Sequence, residues 1–276
     1  MRVKNGLPGI SCWDFSGIYR LLSLPVSRKE ILYHDMTDLP GTNCYCDDDA
    51  AEKIRAVMRE EESAGIHFID TGNYHYMSYL YLSVLQRKTL LVVFDHHTDM
   101  QEPAFGGLLS CGGWVKRSLQ DLPHIVNTWV IGPEEQDIEA AWEGLNDKAA
   151  FLSEENLKSF RSEGNLEEKT QAFIRETLKE SLKNPDGPEQ VYISVDKDIL
   201  SPEYASCPWS QGDVSLEELS FMLSSVLIET RKAGLDLAGI DICGESLPED
   251  PEGCIKSEMT GKILFDLLNR ELSDEK

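Results

Sequence analysis

Short runs of apolar, often β-branched residues recur along the chain, and longer stretches with helical spacing of apolar positions separate them. Because nearly every position within these runs is apolar, they are typical of strands in a parallel sheet that is covered on both faces. The runs that predict strands occupy residues 66–70, 89–94, 127–131, 191–195 and 237–242.

The stretches between the predicted strands carry helix start and stop signals. Acidic residues 47–49 precede a helix that is predicted to end at Gly65, and acidic side chains are favourable at a helix N-terminus. Ser215 and Glu218 form a capping box, and Gly234 is predicted to end the helix that follows it. Two further helices are predicted at residues 165–183 and 256–271.

The alternation of strands and helices predicts an α/β fold with a mostly parallel central sheet. A chain of 276 residues without a low-complexity linker is expected to form a single domain over residues 1–276. The polar helical region at about residues 134–183 is compatible with a surface insertion on that domain.

The charge balance narrows the choice of partners. The chain has 26 Lys and Arg against 49 Asp and Glu, which gives a formal net charge of −23. Binding to a phosphate backbone requires basic surface, so we expect no nucleic acid and no anionic membrane as a partner. A solvated acidic surface is the ordinary interpretation, and a cationic substrate or a need for metal cations is the more specific one.

Location follows from what the sequence lacks. Its apolar runs are far shorter than a membrane helix requires, and the first twenty residues have no apolar core of a signal peptide. Seven Cys, an odd number, favour reduced thiols over a disulfide framework. We therefore expect a cytoplasmic protein.

The residues most suggestive of chemistry follow the predicted strand at 89–94. Asp95, His97 and Asp99 alternate at a spacing of two, which places their side chains on one side of an extended segment. Ligands of open α/β sheets bind at the carboxyl ends of strands. Two carboxylates and one imidazole there indicate a metal site with oxygen and nitrogen ligands, and a polar cap on the strand is the ordinary alternative.

Two other predicted strands end in the same way. Asp196 and Asp198 follow the strand at 191–195, and two carboxylates on one side repel each other unless a cation lies between them. His75 follows the strand at 66–70. A lone His after a strand is more often a structural hydrogen-bond partner than a ligand, but three such strand ends together favour a metal centre.

These segments together resemble the arginase and agmatinase family of ureohydrolases. The family has a Gly-Gly-x-His-Ser type turn, an Asp-Ala-His-x-Asp segment and a Ser-x-Asp-x-Asp segment with a downstream Pro. The chain has GNYHYMS at 72–78, DHHTD at 95–99 and SVDKDILSP at 194–202. The resemblance covers about residues 66–250 and fills all six of the family's ligand positions.

The resemblance implies a three-layer α/β/α, arginase-like fold and two Mn²⁺ ions per chain. One ion would be held by His75, Asp95, Asp99 and Asp196, and the other by His97, Asp95, Asp196 and Asp198, so that Asp95 and Asp196 bridge the two. A hydroxide that bridges the ions would attack the carbon of a guanidinium or amidine, and Asp99 would transfer its proton to the leaving amine.

A fourth segment, LAGIDICGES, resembles the family strand whose acidic residue holds the guanidinium of the substrate. It places Glu245 near that position as a substrate anchor, with Gly244 as one apparent extra residue. The alternative is a loop acid on an acidic protein, and Asp241 within the strand is expected to be structural.

The chain departs from the family around the expected substrate pocket. The family's mouth His is missing, and Cys111 stands in the nearest stretch, with Trp114 as a residue of the mouth or of the core. His96 replaces the family's Ala, and Gln101-Glu102-Pro103 replaces its amino-acid-binding Asn. These changes make L-arginine a less favoured substrate and leave the metal ligands intact.

The sequence is therefore interpreted as that of a hydrolase of linear C–N bonds in a small guanidino or amidino compound. Agmatine, guanidinobutyrate-like acids, arginine and formiminoglutamate are all in range, and a homo-oligomer is compatible with this assignment. Two alternatives stay open: a zinc-dependent, deacetylase-like amidohydrolase of the same superfamily, and a non-catalytic relative that binds metal.

Overall fold

Parallel strands form the centre of the protein. The computed structural model describes residues 9–27, 30–59, 65–141 and 148–273. The strands are β1 (Gly9–Asp14), β2 (Leu32–Asp35), β3 (Tyr45–Cys46), β4 (Gly65–Ile69), β5 (Thr89–Phe94), β6 (Leu109–Ser110), β7 (Ile125–Ile131), β8 (Ala149–Leu152), β9 (Gln190–Asp196) and β10 (Asp236–Cys243). Eight of them form one sheet in the order β2-β1-β4-β10-β9-β5-β7-β8, and every neighbouring pair is parallel. β3 and β6 form a separate antiparallel pair.

Helices lie between the strands. They are α1 (Asp48–Met58), α2 (Met77–Ser83), α3 (Trp114–Asp121), α4 (Glu135–Ala141), α5 (Glu154–Ser162), α6 (Leu166–Lys183), α7 (Leu216–Lys232) and α8 (Pro251–Ser273). No helix in the described ranges has the length and apolar character that crossing a membrane requires.

Two apolar layers cover the sheet, one on each face. Along β5, Leu90 and Val92 belong to one layer, whereas Leu91 and Val93 belong to the other, because successive side chains of a strand point to opposite faces. The first layer includes apolar residues of α5, α6, α7 and α8, and the second includes those of α1, α2 and α3. This three-layer α/β/α arrangement confirms the predicted fold class, with a sheet that is parallel throughout.

Local signals account for the helix boundaries. The Asp47 side chain accepts a hydrogen bond from the Ala50 amide at the start of α1, and the described part of this helix ends at Met58. The capping box before α7 is confirmed, since the Ser215 hydroxyl accepts from the Glu218 amide and the Glu218 carboxylate accepts from the Ser215 amide. α8 begins five residues earlier than predicted, at Pro251.

All five predicted strands are present, and the structure adds β1, β2 and β8 to the main sheet. β8 pairs with β7, and α5 and α6 bury Leu157, Ile174 and Leu178 in the core. The region at 134–183 is therefore part of the main fold, and the prediction of a surface insertion was wrong. Its polar surface hid the few apolar positions that join it to the sheet.

Candidate metal centre

Three strands bring the six predicted ligands to one edge of the sheet. The carboxyl ends of parallel strands share an edge, and β9 lies directly beside β5, with β4 beyond β10. The turn after β4 carries one predicted ligand, the segment after β5 carries three, and the end of β9 with its following turn carries two. They are His75, then Asp95, His97 and Asp99, then Asp196 and Asp198.

His75 lies at the centre of one group of carboxylates. Its Nδ1 is 3.3 Å from Oδ2 of Asp95, 3.0 Å from Oδ2 of Asp99 and 3.4 Å from Oδ2 of Asp196. The ligand atoms of His75, Asp95 and Asp196 all lie within 4.8 Å of one another, which is close enough for one ion to contact all three.

His97 lies at the centre of a second group. Its Nδ1 is 2.9 Å from Oδ2 of Asp198 and 3.4 Å from Oδ1 of Asp95. The ligand atoms of Asp95, His97 and Asp198 again lie within 4.8 Å of one another. Asp95 thus belongs to both groups through its two oxygens, as expected of a carboxylate that joins two metal positions.

Asp99 lies beside the first group and is held by Trp114. The Trp114 Nε1 donates a hydrogen bond of 2.5 Å to Oδ2 of Asp99, and the Val115 amide donates to the Asp99 carbonyl. The Asp99 backbone has a φ of 51°, in the left-handed region that few non-glycine residues adopt. These bonds hold the Asp99 carboxylate in contact with His75.

Serine hydroxyls set the orientation of both imidazole rings. The Nε2 of His75 is 2.8 Å from the Ser194 hydroxyl, and the Nε2 of His97 is 2.8 Å from the Ser210 hydroxyl. In each ring the second nitrogen is thereby engaged, and Nδ1 faces the carboxylates. Metal-binding imidazoles are commonly held by a second hydrogen bond of this kind. Neither serine was predicted as a partner from the sequence, although Ser194 belongs to the SVDKDILSP segment.

Burial and mutual repulsion shift the pKa values of the carboxylates. Burial, together with the nearby Asp198, raises the pKa of Asp196 to about 8. Burial and the charge of Asp95 raise the pKa of Asp198 to about 7 and that of Asp99 to about 6. Burial also acts to raise the pKa of Asp95, but hydrogen bonds from His75 and His97 lower it below its ordinary range.

Burial has the opposite effect on the histidines, but the nearby carboxylates outweigh it and raise the pKa of both imidazoles. Burial acts to lower the pKa of His97, yet the hydrogen bonds with Asp198 and Asp95 raise it to about 12. The pKa of His75 is raised well above its ordinary value against the same effect of burial, by Asp95 and Asp99. The negative charge of the carboxylates therefore stabilises positive charge at this site.

The donor set fits divalent metal ions. Four buried carboxylates and two imidazoles converge, and this mixture of oxygen and nitrogen ligands suits ions such as Mn²⁺ better than a thiolate-preferring metal. His75, Asp95 and Asp196 would hold one ion, with Asp99 beside them. Asp95, His97 and Asp198 would hold the other.

A cavity of about 300 Å³ opens over the six residues. Its remaining wall is formed by Cys44, Tyr45, Gly72, Gln101, Glu102, Pro103, Ala104, Ser110, Cys111, Gly112 and Trp209. Cys111 lines this cavity, and burial raises the pKa of its thiol, so the thiol stays protonated. Trp114 is fully buried and belongs to the core behind the site.

Glu245 has other contacts than those of the predicted substrate anchor. It is 2% exposed, its Oε2 is 2.6 Å from the Lys197 Nζ, and its Oε1 accepts a hydrogen bond from the Tyr19 hydroxyl at 3.1 Å. It is not among the residues that line the cavity. Gly244 explains the geometry: its φ of +83° turns the chain, and a Cβ at this position would lie 2.2 Å from Oδ1 of Asp196. The loop after β10 therefore places only backbone against Asp196, and the Glu245 side chain points away from the cavity.

A parallel sheet with a shared carboxylate–imidazole cluster at the carboxyl ends of its strands defines an α/β protein with a candidate binuclear metal centre. The model of the arginase family matches residues 18–268, and the chain belongs to this family. Members of the arginase family are binuclear metal enzymes.

One sequence relative and two solved structures are similar to the chain over most of its length. An uncharacterized protein of Thermotoga maritima is 27% identical over 262 residues, which are 95% of this chain and 89% of that protein. The structure of proclavaminate amidino hydrolase from Streptomyces clavuligerus has a TM-score of 0.64 at 17% identity, covering 96% of this chain and 90% of that one. Formimidoylglutamase from Bacillus subtilis has a TM-score of 0.63 at 16% identity, covering 96% and 87%.

Proposed function

We propose that the protein is a Mn²⁺-dependent hydrolase with two ions per chain that cleaves a C–N bond of a small guanidino or amidino compound. The observation that carries this proposal is the pair of ligand groups that share Asp95, at the bottom of a cavity large enough for a small molecule. Two divalent ions held there would supply a water that loses its proton near neutral pH. Hydrolase relatives of the same fold support the choice of reaction.

The protein's own groups would orient the reaction. Asp99 is the carboxylate next to the first ligand group that also receives a directional bond from Trp114. Its proposed role is to accept the proton of the attacking water and return it to the leaving amine. The cavity wall then restricts how the trigonal carbon approaches, which lowers the entropic part of the barrier.

The charges of the cavity wall also affect which substrate tail the site favours. None of the described lining residues is Lys or Arg, and Glu102 is the acid there outside the six-residue cluster. The Glu102 carboxylate is 2.5 Å from the Lys116 Nζ, which lies outside this cavity. The proposal therefore includes a preference for a neutral or cationic tail over a carboxylate tail, since a carboxylate tail would meet the Glu102 carboxylate and no basic residue among the described lining residues.

A release assay with matched substrates tests the proposal. Agmatine and 4-guanidinobutyrate carry the same guanidino group with an ammonium or a carboxylate tail, and formiminoglutamate and arginine extend the panel. We expect Mn²⁺-dependent release of urea from the guanidino compounds, or of formamide from formiminoglutamate, with higher kcat/KM for the ammonium tail. Glu102→Gln should reduce that preference and leave metal content unchanged.

The outcome separates the alternatives. Absence of release from every guanidino and amidino compound, together with Zn²⁺-dependent deacetylation by a protein that holds one ion, would favour the deacetylase-like assignment. Absence of all hydrolysis by protein that holds two ions would favour a non-catalytic relative.

A further inference from the structure

Lys197 is a fully buried lysine between two proposed metal ligands. It follows Asp196 and precedes Asp198, and its side chain is 0% exposed. An ammonium is taken out of water only at a large cost unless it is paired and hydrogen-bonded. A lysine at this position therefore requires surroundings that pair and hydrogen-bond its ammonium group.

That environment comes from three other segments of the chain. The Lys197 Nζ lies 2.6 Å from Oε2 of Glu245, in the loop after β10, and donates to the Ser257 carbonyl of α8 at 3.3 Å. Tyr19, in the turn after β1, donates to the other oxygen of Glu245. Burial raises the pKa of Tyr19 well above its ordinary value, so the hydroxyl remains a donor.

The ion pair lies on the back of the turn whose front forms the metal cluster. Asp196 and Asp198 direct their carboxylates to the side of His75 and His97, whereas Lys197 extends the other way. Within the turn, the Asp198 amide donates to Oδ1 of Asp196 at 3.0 Å. The two carboxylates thus share one short backbone segment with the lysine.

The loop after β10 packs directly on this segment. A Cβ on Gly244 would lie 2.2 Å from Oδ1 of Asp196 and 2.7 Å from the Lys197 amide nitrogen, so there is space only for backbone. The amides of Gly244 and Glu245 both donate to the Asp70 carbonyl at the end of β4. The Lys197–Glu245 pair therefore fastens two segments that are already in contact, immediately behind the carboxylates.

We propose that Lys197 and Glu245 are positioning residues for the metal centre: their ion pair holds the turn at 196–198 in the conformation that keeps Asp196 and Asp198 at coordinating distance. This inference rests on the proposed assignment of these two carboxylates as metal ligands, and it does not depend on which substrate is hydrolysed. It gives Glu245 a role through the metal, in place of contact with a guanidinium.

If the ion pair only stabilised the fold, a variant that keeps the stability without the charges would also keep its Mn²⁺ affinity. A buried ion pair replaced by apolar side chains of similar volume often retains or gains stability, whereas removal of one partner is strongly destabilising. Apolar contacts are non-directional and do not fix a turn as a charged hydrogen bond does. The double variant Lys197→Met/Glu245→Leu therefore separates stability from positioning.

The test compares Mn²⁺ affinity with thermal stability. Chelator-treated wild type, Glu245→Gln and the double variant are titrated with Mn²⁺ by calorimetry, and Tm is measured on the same preparations. We expect the double variant to recover a Tm near that of the wild type but to bind Mn²⁺ about 10- to 100-fold more weakly, the range found when groups that orient metal ligands are removed. Arg87→Met, which breaks the pairs with Glu189 and Asp236 at the amino ends of β9 and β10, the opposite edge of the sheet, should leave Mn²⁺ affinity unchanged whatever its effect on Tm.

Kinetics distinguish this role from substrate anchoring. Glu245→Gln should regain most of its kcat at saturating Mn²⁺ with KM unchanged, whereas loss of a substrate anchor would leave Mn²⁺ affinity at the wild-type level and impair kcat/KM at every Mn²⁺ concentration. A folded double variant with wild-type Mn²⁺ affinity would overturn the inference. Because calorimetry needs no substrate, failure of the proposed hydrolytic function would be seen separately in the release assay.

Discussion

The indole Nε1 of Trp114 donates a 2.5 Å hydrogen bond to Oδ2 of Asp99, the same oxygen that lies 3.0 Å from Nδ1 of His75. One carboxylate oxygen thus joins a core tryptophan to the proposed metal centre. Trp114 is fully buried, and its ring lies 4.9 Å from the His75 ring, so it fixes both residues from the side of the protein interior.

Replacement of Trp114 by Phe should preserve the fold and impair the site. The ring volume is largely kept, but Asp99 loses its directional donor and gains freedom to rotate. We expect kcat to fall about 10- to 100-fold, as for other groups that orient metal-site carboxylates. The measurement is steady-state kinetics at saturating Mn²⁺ with circular dichroism of the same protein.

Trp129→Phe is the matched control, because Trp129 is equally buried and its Nε1 has no hydrogen-bond partner among the described residues. Its kcat should stay within a factor of two of the wild-type value. Equal losses in both variants would mean that general packing, and not the bond to Asp99, supports activity.

The Ser194 hydroxyl also holds a proposed metal ligand, because it contacts the Nε2 of His75. Ser194→Ala removes the 2.8 Å partner of Nε2 and leaves the ring free to turn. Mn²⁺ affinity should fall about 10-fold or more, by analogy with lost partners of metal-binding histidines. Calorimetric titration of Ser194→Ala and Ser210→Ala checks this.

The two serines differ in burial, so their substitutions should lower Mn²⁺ affinity to different extents. The Ser210 contact with His97 is exposed, and water replaces an exposed partner more easily than a buried one. Ser210→Ala should therefore have the smaller effect. Unchanged affinity in Ser194→Ala would show that the ring of His75 is held by the carboxylates alone.

The sequence predicted the centre of this molecule better than its edges. The strands around Thr89–Phe94 and Gln190–Asp196 are continuously apolar, so burial on both faces was readable from local composition. The edge strand Ala149–Leu152 is short and lies in a polar region, and only its pairing with β7 defines it. Pairing of this kind depends on distant residues and leaves little local signal.

The candidate site shows the same division. The sequence predicted that these side chains lie together, because Asp95, His97 and Asp99, and likewise Asp196 and Asp198, follow strands at a spacing of two. That they bind metal stays a prediction. The direction of the Glu245 side chain could not be predicted, because it depends on the positive φ of Gly244 and on the pairing with Lys197, 48 residues away. The sequence allows Trp114 to lie at the mouth or in the core, and only tertiary packing distinguishes these positions.

Asp241 provides a test of buried charge outside the proposed metal centre. Burial raises its pKa to about 7, against hydrogen bonds from Ser78 and Tyr192 that lower it. Because this folded-state pKa lies above the unfolded value of about 4, the stabilisation is complete below about pH 4 and is lost as the pH rises through about 7. Between pH 5 and 8 the wild type should lose on the order of 1 to 4 kcal/mol relative to Asp241→Asn.

Urea unfolding of chelator-treated wild type and variant at several pH values measures this difference, and the other titrating groups cancel in the comparison. Asp236→Asn, at the exposed start of the same strand, is the control: a hydrogen bond from Arg87 lowers the pKa of Asp236, so no such loss is expected over this window. A stability difference between wild type and Asp241→Asn that does not change with pH would contradict the assignment.

The number of Mn²⁺ ions per chain tests the central claim most directly. Equilibrium dialysis against Mn²⁺ followed by elemental analysis should give about two ions in the wild type and about one in either His75→Ala or His97→Ala. Asp95→Asn should retain fewer than one, because Asp95 belongs to both ligand groups. A single ion in the wild type, or metal content in Asp95→Asn no lower than in His75→Ala, would contradict a binuclear centre that shares Asp95.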